Sequence, residues 1–101
     1  MDIFQAIDKR SSGELGRIAD ELYHQKRINE KNPQGKTPLI YAIEKKFKQG
    51  VRIISLNHAS IIEPDSDGNT PLHVAAKIDD GSMVSFLLQK GAKPDIYDSN
   101  G

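Results

Sequence analysis

The 101-residue chain has no cysteine and no tryptophan, and only six aromatic residues. Without cysteine there are no disulfides, no thiolate zinc sites and no iron–sulfur ligands, and a cytoplasmic setting is the expectation. Apolar runs are short: Ile53-Ile54 and Phe86-Leu87-Leu88 fall far below the roughly 18–20 residues of a membrane span. Asp2, Asp8, Lys9 and Arg10 interrupt the N-terminus, so it does not read as a signal peptide. No Asn-x-Ser/Thr acceptor occurs. Net charge is zero, so no global field points to a polyanion. The charges are nevertheless uneven, with 11 Lys/Arg against 7 Asp/Glu in residues 1–52 and 3 against 7 in residues 53–101. At 37% hydrophobic and 28% charged, the composition is that of one ordinary globular domain.

What the chain does have is a period. Thr70-Pro71-Leu72-His73-Val74-Ala75-Ala76 follows Thr37-Pro38-Leu39-Ile40-Tyr41-Ala42-Ile43 by 33 residues, and Gly35, Gly68 and Gly101 keep the same interval. A fixed period of this length means stacked structural units in place of one closed core. Each unit can be read from its residues. In 65–97, Asp65-Ser66-Asp67-Gly68-Asn69 is turn chemistry, because Asp and Asn bond their own backbone and Gly accepts positive φ. Thr70 suits a helix N-cap, with Pro71 at the first helical position, where no N–H is needed. Leu72, Ala75 and Ala76 would form the apolar face of a short helix. Asp79-Asp80-Gly81 breaks it and Ser82 caps the next, which carries Met83, Val84, Phe86, Leu87 and Leu88. Gly91 suits the left-handed position after that helix, and Pro94 prevents its resumption.

The spacing and the Thr-Pro-Leu-His-x-Ala core resemble the ankyrin repeat. Gly68, Thr70-Pro71-Leu72-His73, Ala75-Ala76, Val84, Leu87-Leu88 and Gly91-Ala92 carry the resemblance. It implies an all-α solenoid in which a β-hairpin-like turn and two antiparallel helices recur. It also implies that His73 is structural, its ring bridging to Thr70 and neighbouring backbone. Residues 32–64 align without a gap through Gly35, Thr37-Pro38-Leu39, Ala42, Val51 and Ala59. There Ile40 replaces the motif histidine, Ile43 replaces the second alanine and His58 stands in the place of Gly91. Lys46 and Ser55 also depart from the pattern, and its second helix, Val51 to Asn57, is expected to be shortened. Residues 1–31 read as an N-terminal capping repeat, with a first helix around Ile3, Phe4, Ala6 and Ile7. A Ser11-x-x-Glu14 capping box would start its second helix, carrying Leu15, Ile18, Ala19 and Leu22, after an insertion of about three residues around Arg10–Ser12. The whole of 1–101 is thus one domain, with 98–101 opening a further turn. Leu72, Ala76, Leu87 and Leu88 lack a polar cap after them, so either further repeats follow in a longer protein or another surface covers them.

No chemical motif survives inspection. Gly35-Lys36-Thr37 resembles the end of a phosphate-binding loop, but that motif needs glycine where Glu30 stands. His24, His58 and His73 have no metal-ligand spacing, and the pairs Asp20/Glu21 and Asp79/Asp80 imply no cleft. No catalytic residue, metal or cofactor is therefore expected, and the protein is read as no enzyme. The basic cluster Lys45, Lys46, Lys48 and Arg52 lacks aromatic stacking platforms, which disfavours nucleic acid. The expected function is a protein-binding module, a non-catalytic adaptor or scaffold. The alternatives are the recognition segment of a longer enzyme or bacterial effector, acting in a host cytosol, and an assembly module associating through its third repeat. By the resemblance, the binding positions are the turn tips and the ends of the first helices. These are Pro33, Gln34, Lys36, Glu44 and Lys45 in the second unit, then Ser66, Asp67, Asn69, Lys77 and Ile78 in the third, and Tyr97. Ile78 and Tyr97 have the character of interface anchors, although Ile78 equally suits packing against the next repeat.

Overall fold

The computed structural model describes residues 1–78 and 81–92. They form α1 (Ile3–Asp8), α2 (Ser12–His24), α3 (Pro38–Glu44), α4 (Lys48–Leu56), α5 (Pro71–Lys77) and α6 (Gly81–Gln89). No strand occurs among the described residues. Each odd-numbered helix packs on the even-numbered helix that follows it, giving three pairs. The pairs stack in two rows: α1 on α3 and α3 on α5 form one, and α2 on α4 belongs to the other. The all-α ankyrin-type solenoid read from the repeat is the fold observed.

Local chemistry explains the helix starts. Thr37 and Thr70 are extended N-caps whose hydroxyls accept the N–H of Ile40 (3.2 Å) and His73 (3.3 Å). Pro38 and Pro71 open the helices without wasting a donor. Ala6, Ala42 and Ala75 occupy one register in the first row and are fully buried, which lets the three helices approach closely. Ile7, Leu15, Leu39, Ile40, Ile43, Ile54 and Leu87 fill the space between the rows.

Several expectations are corrected. α4 is not shortened: Lys48–Leu56 and Gly81–Gln89 have equal length and lie 33 residues apart. His58 makes this possible by adopting φ 68°, the left-handed conformation that Gly91 adopts at φ 105°. Its ring stacks on Tyr23, with centroids 4.4 Å apart. There is no insertion around Arg10–Ser12 either. The loops 9–11 and 45–47 match, with Arg10 and Lys46 left-handed in each, and the extra residues are one more turn at the C-terminal end of α2. The Ser11/Glu14 capping box does not form, because Glu14 turns to Arg17 at 2.6 Å. A capping box does form on α1, where Gln5 N–H donates to Asp2 (2.8 Å) and Asp2 N–H to Gln5 (2.9 Å). α6 begins at Gly81, which puts Ser82 inside its first turn. Ala76 and Leu88 are exposed, and Val74 takes the buried place in α5.

Candidate interaction surface

Two turns project from the starts of α3 and α5. In the first, Asn32 N–H donates to the Lys36 carbonyl (2.9 Å) and Gly35 N–H to the Asn32 carbonyl (2.8 Å). In the second, Asp65 and Gly68 repeat both bonds with Asn69 and Asp65. The side chains at 32 and 65 tie each loop from inside: Asn32 accepts from Gln34 and Lys36 N–H, and Asp65 from Asp67 and Asn69 N–H. Gly35 and Gly68 sit at φ 79° and 86°, which glycine alone adopts without strain. The turns are then stitched together, because Ser66 N–H donates to the Gly35 carbonyl at 2.9 Å. A Cβ on Gly35 would fall 2.5 Å from the Ser66 hydroxyl, so this close approach also requires glycine.

An ion cluster around the buried Asp65 locks the same edge. Lys36 Nζ lies 3.1 Å from Asp65 and 3.2 Å from Glu44. Asp65 is only 3% exposed. Burial by itself would raise its pKa, but the Asn69 N–H, the Lys36 ammonium and the Asp67 N–H outweigh it and hold the carboxyl below its ordinary value. Burial would likewise lower the Lys36 pKa, and its contacts with Asp65 and Glu44 carry it above the usual lysine value. On the neighbouring pair, Tyr41 donates its hydroxyl to Asp8 at 2.7 Å and packs edge-on against Phe4. The hydrogen bond to Asp8, aided by burial, pushes the Tyr41 pKa up to about 12.

The binding positions named from sequence fall into three groups. Pro33, Gln34, Ser66 and Asp67 are exposed on the turn tips, and Glu44, Lys45 and Lys77 on the ends of α3 and α5. Lys36 is drawn into its ion cluster and Ile78 is half-buried against the core, while the half-buried Asn69 accepts from Lys77 at 3.1 Å near the surface. Tyr97 lies outside the described residues. His73 meets the Thr70 hydroxyl through Nδ1 at 2.8 Å, the Thr70 side of the bridge that the resemblance implies. His24 sits on its own helix against the Asp20 carbonyl. Sequence reasoning did not find the Ser66–Gly35 bond or the Lys36–Asp65 pair. Their one signal was the register of 32–36 with 65–69, which places those residues side by side.

The family model for ankyrin repeats, in three copies, matches residues 4–98. The chain is a member of the ankyrin-repeat family. Among similar sequences is an ankyrin repeat protein of Fowlpox virus (strain NVSL), 38% identical over 63 residues, 62% of this chain and 34% of that protein. An ankyrin repeat protein of Acanthamoeba polyphaga mimivirus is 35% identical over 80 residues, 78% of this chain and 19% of its own. The chain therefore spans about a third or less of the curated relatives it matches. Among solved structures, the Legionella effector AnkH superposes with TM-score 0.85 at 26% identity, over 100% of this chain and 21% of that one. The ankyrin repeat domain of Bcl-3 gives TM-score 0.77 at 21% identity, over 97% and 43%, a likeness of fold alone. Ankyrin repeats are generally protein–protein interaction modules and typically non-catalytic. No described helix is long and apolar enough to cross a membrane.

Proposed function

We propose that this ankyrin-repeat chain is a non-catalytic adaptor that holds a partner protein against the ledge formed by its two turns and the ends of α3 and α5. The observation that carries this reading is the Ser66–Gly35 backbone bond, reinforced by the Lys36 ion cluster, which makes two separate turns one stiff surface. A surface already held in one shape loses little conformational freedom on binding. Gln34, Glu44, Lys45, Ser66, Asp67 and Lys77 are the contact residues of this proposal, and Lys36 and Asn69 position them from behind. Residues 1–31 act as its N-terminal cap, turning Arg17, Asp20, Glu21 and Gln25 to solvent. The setting is cytoplasmic.

A second reading has its own support. Because the relatives are longer than this chain, some of them several times over, the ledge serves as the recognition segment of a larger protein, such as an effector in a host cytosol.

Site-directed photocrosslinking tests the main reading. A photoreactive residue at Gln34 or Asp67 should trap a protein in cell extract that the same residue at Asp20, on the exposed side of α2, does not trap. Equal capture from all three positions, or none from the turns, would remove the ledge as the binding surface.

A further inference from the structure

The two junctions of the row that holds α2, α4 and α6 are not equally tight. α2 lies closely along α4, whereas α6 makes no comparable contact with α4. The sequence accounts for the difference. At the first junction the facing residues are small: a Cβ on Gly16 would lie 3.9 Å from Ile53, Ala19 is fully buried, and Gly50 has no room for any side chain. One repeat later the equivalent of Gly16 is Arg52, on α4, and that of Gly50 is Met83, on α6, with Phe86 beside Arg52. These bulkier side chains hold α6 away, leaving a groove of about 760 Å³ between the helices.

The groove has an apolar floor and a cationic wall. Val51 and Met83 are buried in it and Phe86 is half-buried. Arg52, on the groove wall, lies over the Phe86 ring at 6.0 Å, and Lys90, just outside the groove, lies 5.6 Å from the centre of the same ring. None of the nine described residues that line it is acidic. It belongs to the row of helices away from α3 and α5, so it is separate from the turn ledge.

We propose that the α4–α6 groove is a second docking site, which takes an acidic amphipathic helix of a partner protein. The pocket volume is within the range of small binding sites, roughly 300–1,000 Å³, and suits one or two anchoring side chains. A leucine or phenylalanine on the incoming helix would rest on Phe86, above the buried Val51 and Met83. Its flanking carboxylates would meet the Arg52 guanidinium, a group whose planar fork favours carboxylates. Charge complementarity selects this occupant: a basic helix would meet Lys48 and Arg52, which line the groove, with like charge.

The test uses fluorescein-labelled Glu-Glu-Leu-Gln-Glu-Leu-Phe-Glu-Glu and a counterpart in which every Glu is Lys. Binding is followed by fluorescence anisotropy, and the site by amide shifts in isotope-labelled protein. The acidic peptide should bind and shift Val51, Arg52, Met83 and Phe86, and the basic one should not. Arg52→Glu should weaken binding about tenfold or more, as reversal of one close charge pair does. Ser85→Trp, at an exposed position on the wall, should block entry with the fold intact by circular dichroism. Gln34→Ala, on the ledge, should change nothing, which separates this site from the function proposed above. Absence of binding, equal binding of both peptides, indifference to Arg52→Glu, or shifts confined to the turns would each overturn the proposal. So would displacement of the acidic peptide by phosphatidylserine vesicles, which would make the groove a lipid site.

Discussion

Two junctions built from the same repeat behave differently. Between α2 and α4, Gly16, Ala19 and Gly50 remove side-chain bulk, and Phe47 folds back over the bare α-carbon of Gly50. Between α4 and α6, Arg52, Met83, Ser85 and Phe86 occupy the facing positions and a groove opens. A glycine inside a helix ordinarily costs about 1 kcal/mol relative to alanine. Here close helix packing offsets that cost, so the glycines mark where neighbours seal, and their replacement marks where a surface is left for other molecules.

The sharpest way to break this comparison is to place one side chain at both junctions. Gly50→Leu would drive a Cβ within 2.5 Å of the Phe47 ring and 3.1 Å of Leu15. It should lower unfolding free energy by about 1–3 kcal/mol in urea titrations. Ser85→Leu, in the open groove, should stay within about 0.5 kcal/mol. If both variants lose equal stability, packing does not distinguish the junctions. A second perturbation concerns Ser55 on α4, whose buried hydroxyl has no hydrogen-bond partner. Ser55→Ala should raise stability by about 1 kcal/mol or more, since an unsatisfied buried polar group costs roughly that much. A melting temperature unchanged or lowered would mean the hydroxyl is satisfied.

The helix ends give a smaller, paired effect. His58→Gly relieves a left-handed histidine and should stabilise by about 0.5–1 kcal/mol, less whatever the Tyr23 stack contributes. Gly91→Ala meets no nearer atom than Ile61 at 3.9 Å, so its loss of about 1 kcal/mol should be conformational. Should both changes move stability the same way, the two positions are not equivalent. The mildest expectation is a pH dependence on the ledge. Asp65 has a folded pKa below its unfolded value of 3.8, so its stabilising contribution is complete above that value and is lost as pH falls through the lowered one. Denaturation midpoints should fall on acidification in the native chain and fall less in Asp65→Asn. Tyr41 gives a spectroscopic check of the α1–α3 junction. Its phenolate absorbance should appear near pH 12, and Asp8→Asn should bring it down toward 10.

Much of this was legible in the residues. Thr37-Pro38 and Thr70-Pro71 announce helix starts because capping and proline chemistry are local, and Gly35 and Gly68 announce turns for the same reason. The failures also have local names. His58 was read as a sign of a shortened helix because glycine is the usual left-handed residue, yet an aromatic neighbour, Tyr23, steadies histidine there. Ser11 and Glu14 had capping-box spacing, but Arg17 competed for the carboxylate and Gln5 answered Asp2 instead. Lys36 and Asn69 had the positions of contact residues and were engaged by partners 29 and 8 residues away in the chain.

The repeat period, the helix starts and the turns follow from sequence alone, because each depends on residues within a few positions of one another. Whether two successive helices close up or leave a groove does not. That depends on which side chains from different repeats arrive at the same place, and only the stacked structure brings Gly50 to Leu15, Gly16 to Ile53 and Arg52 to Phe86.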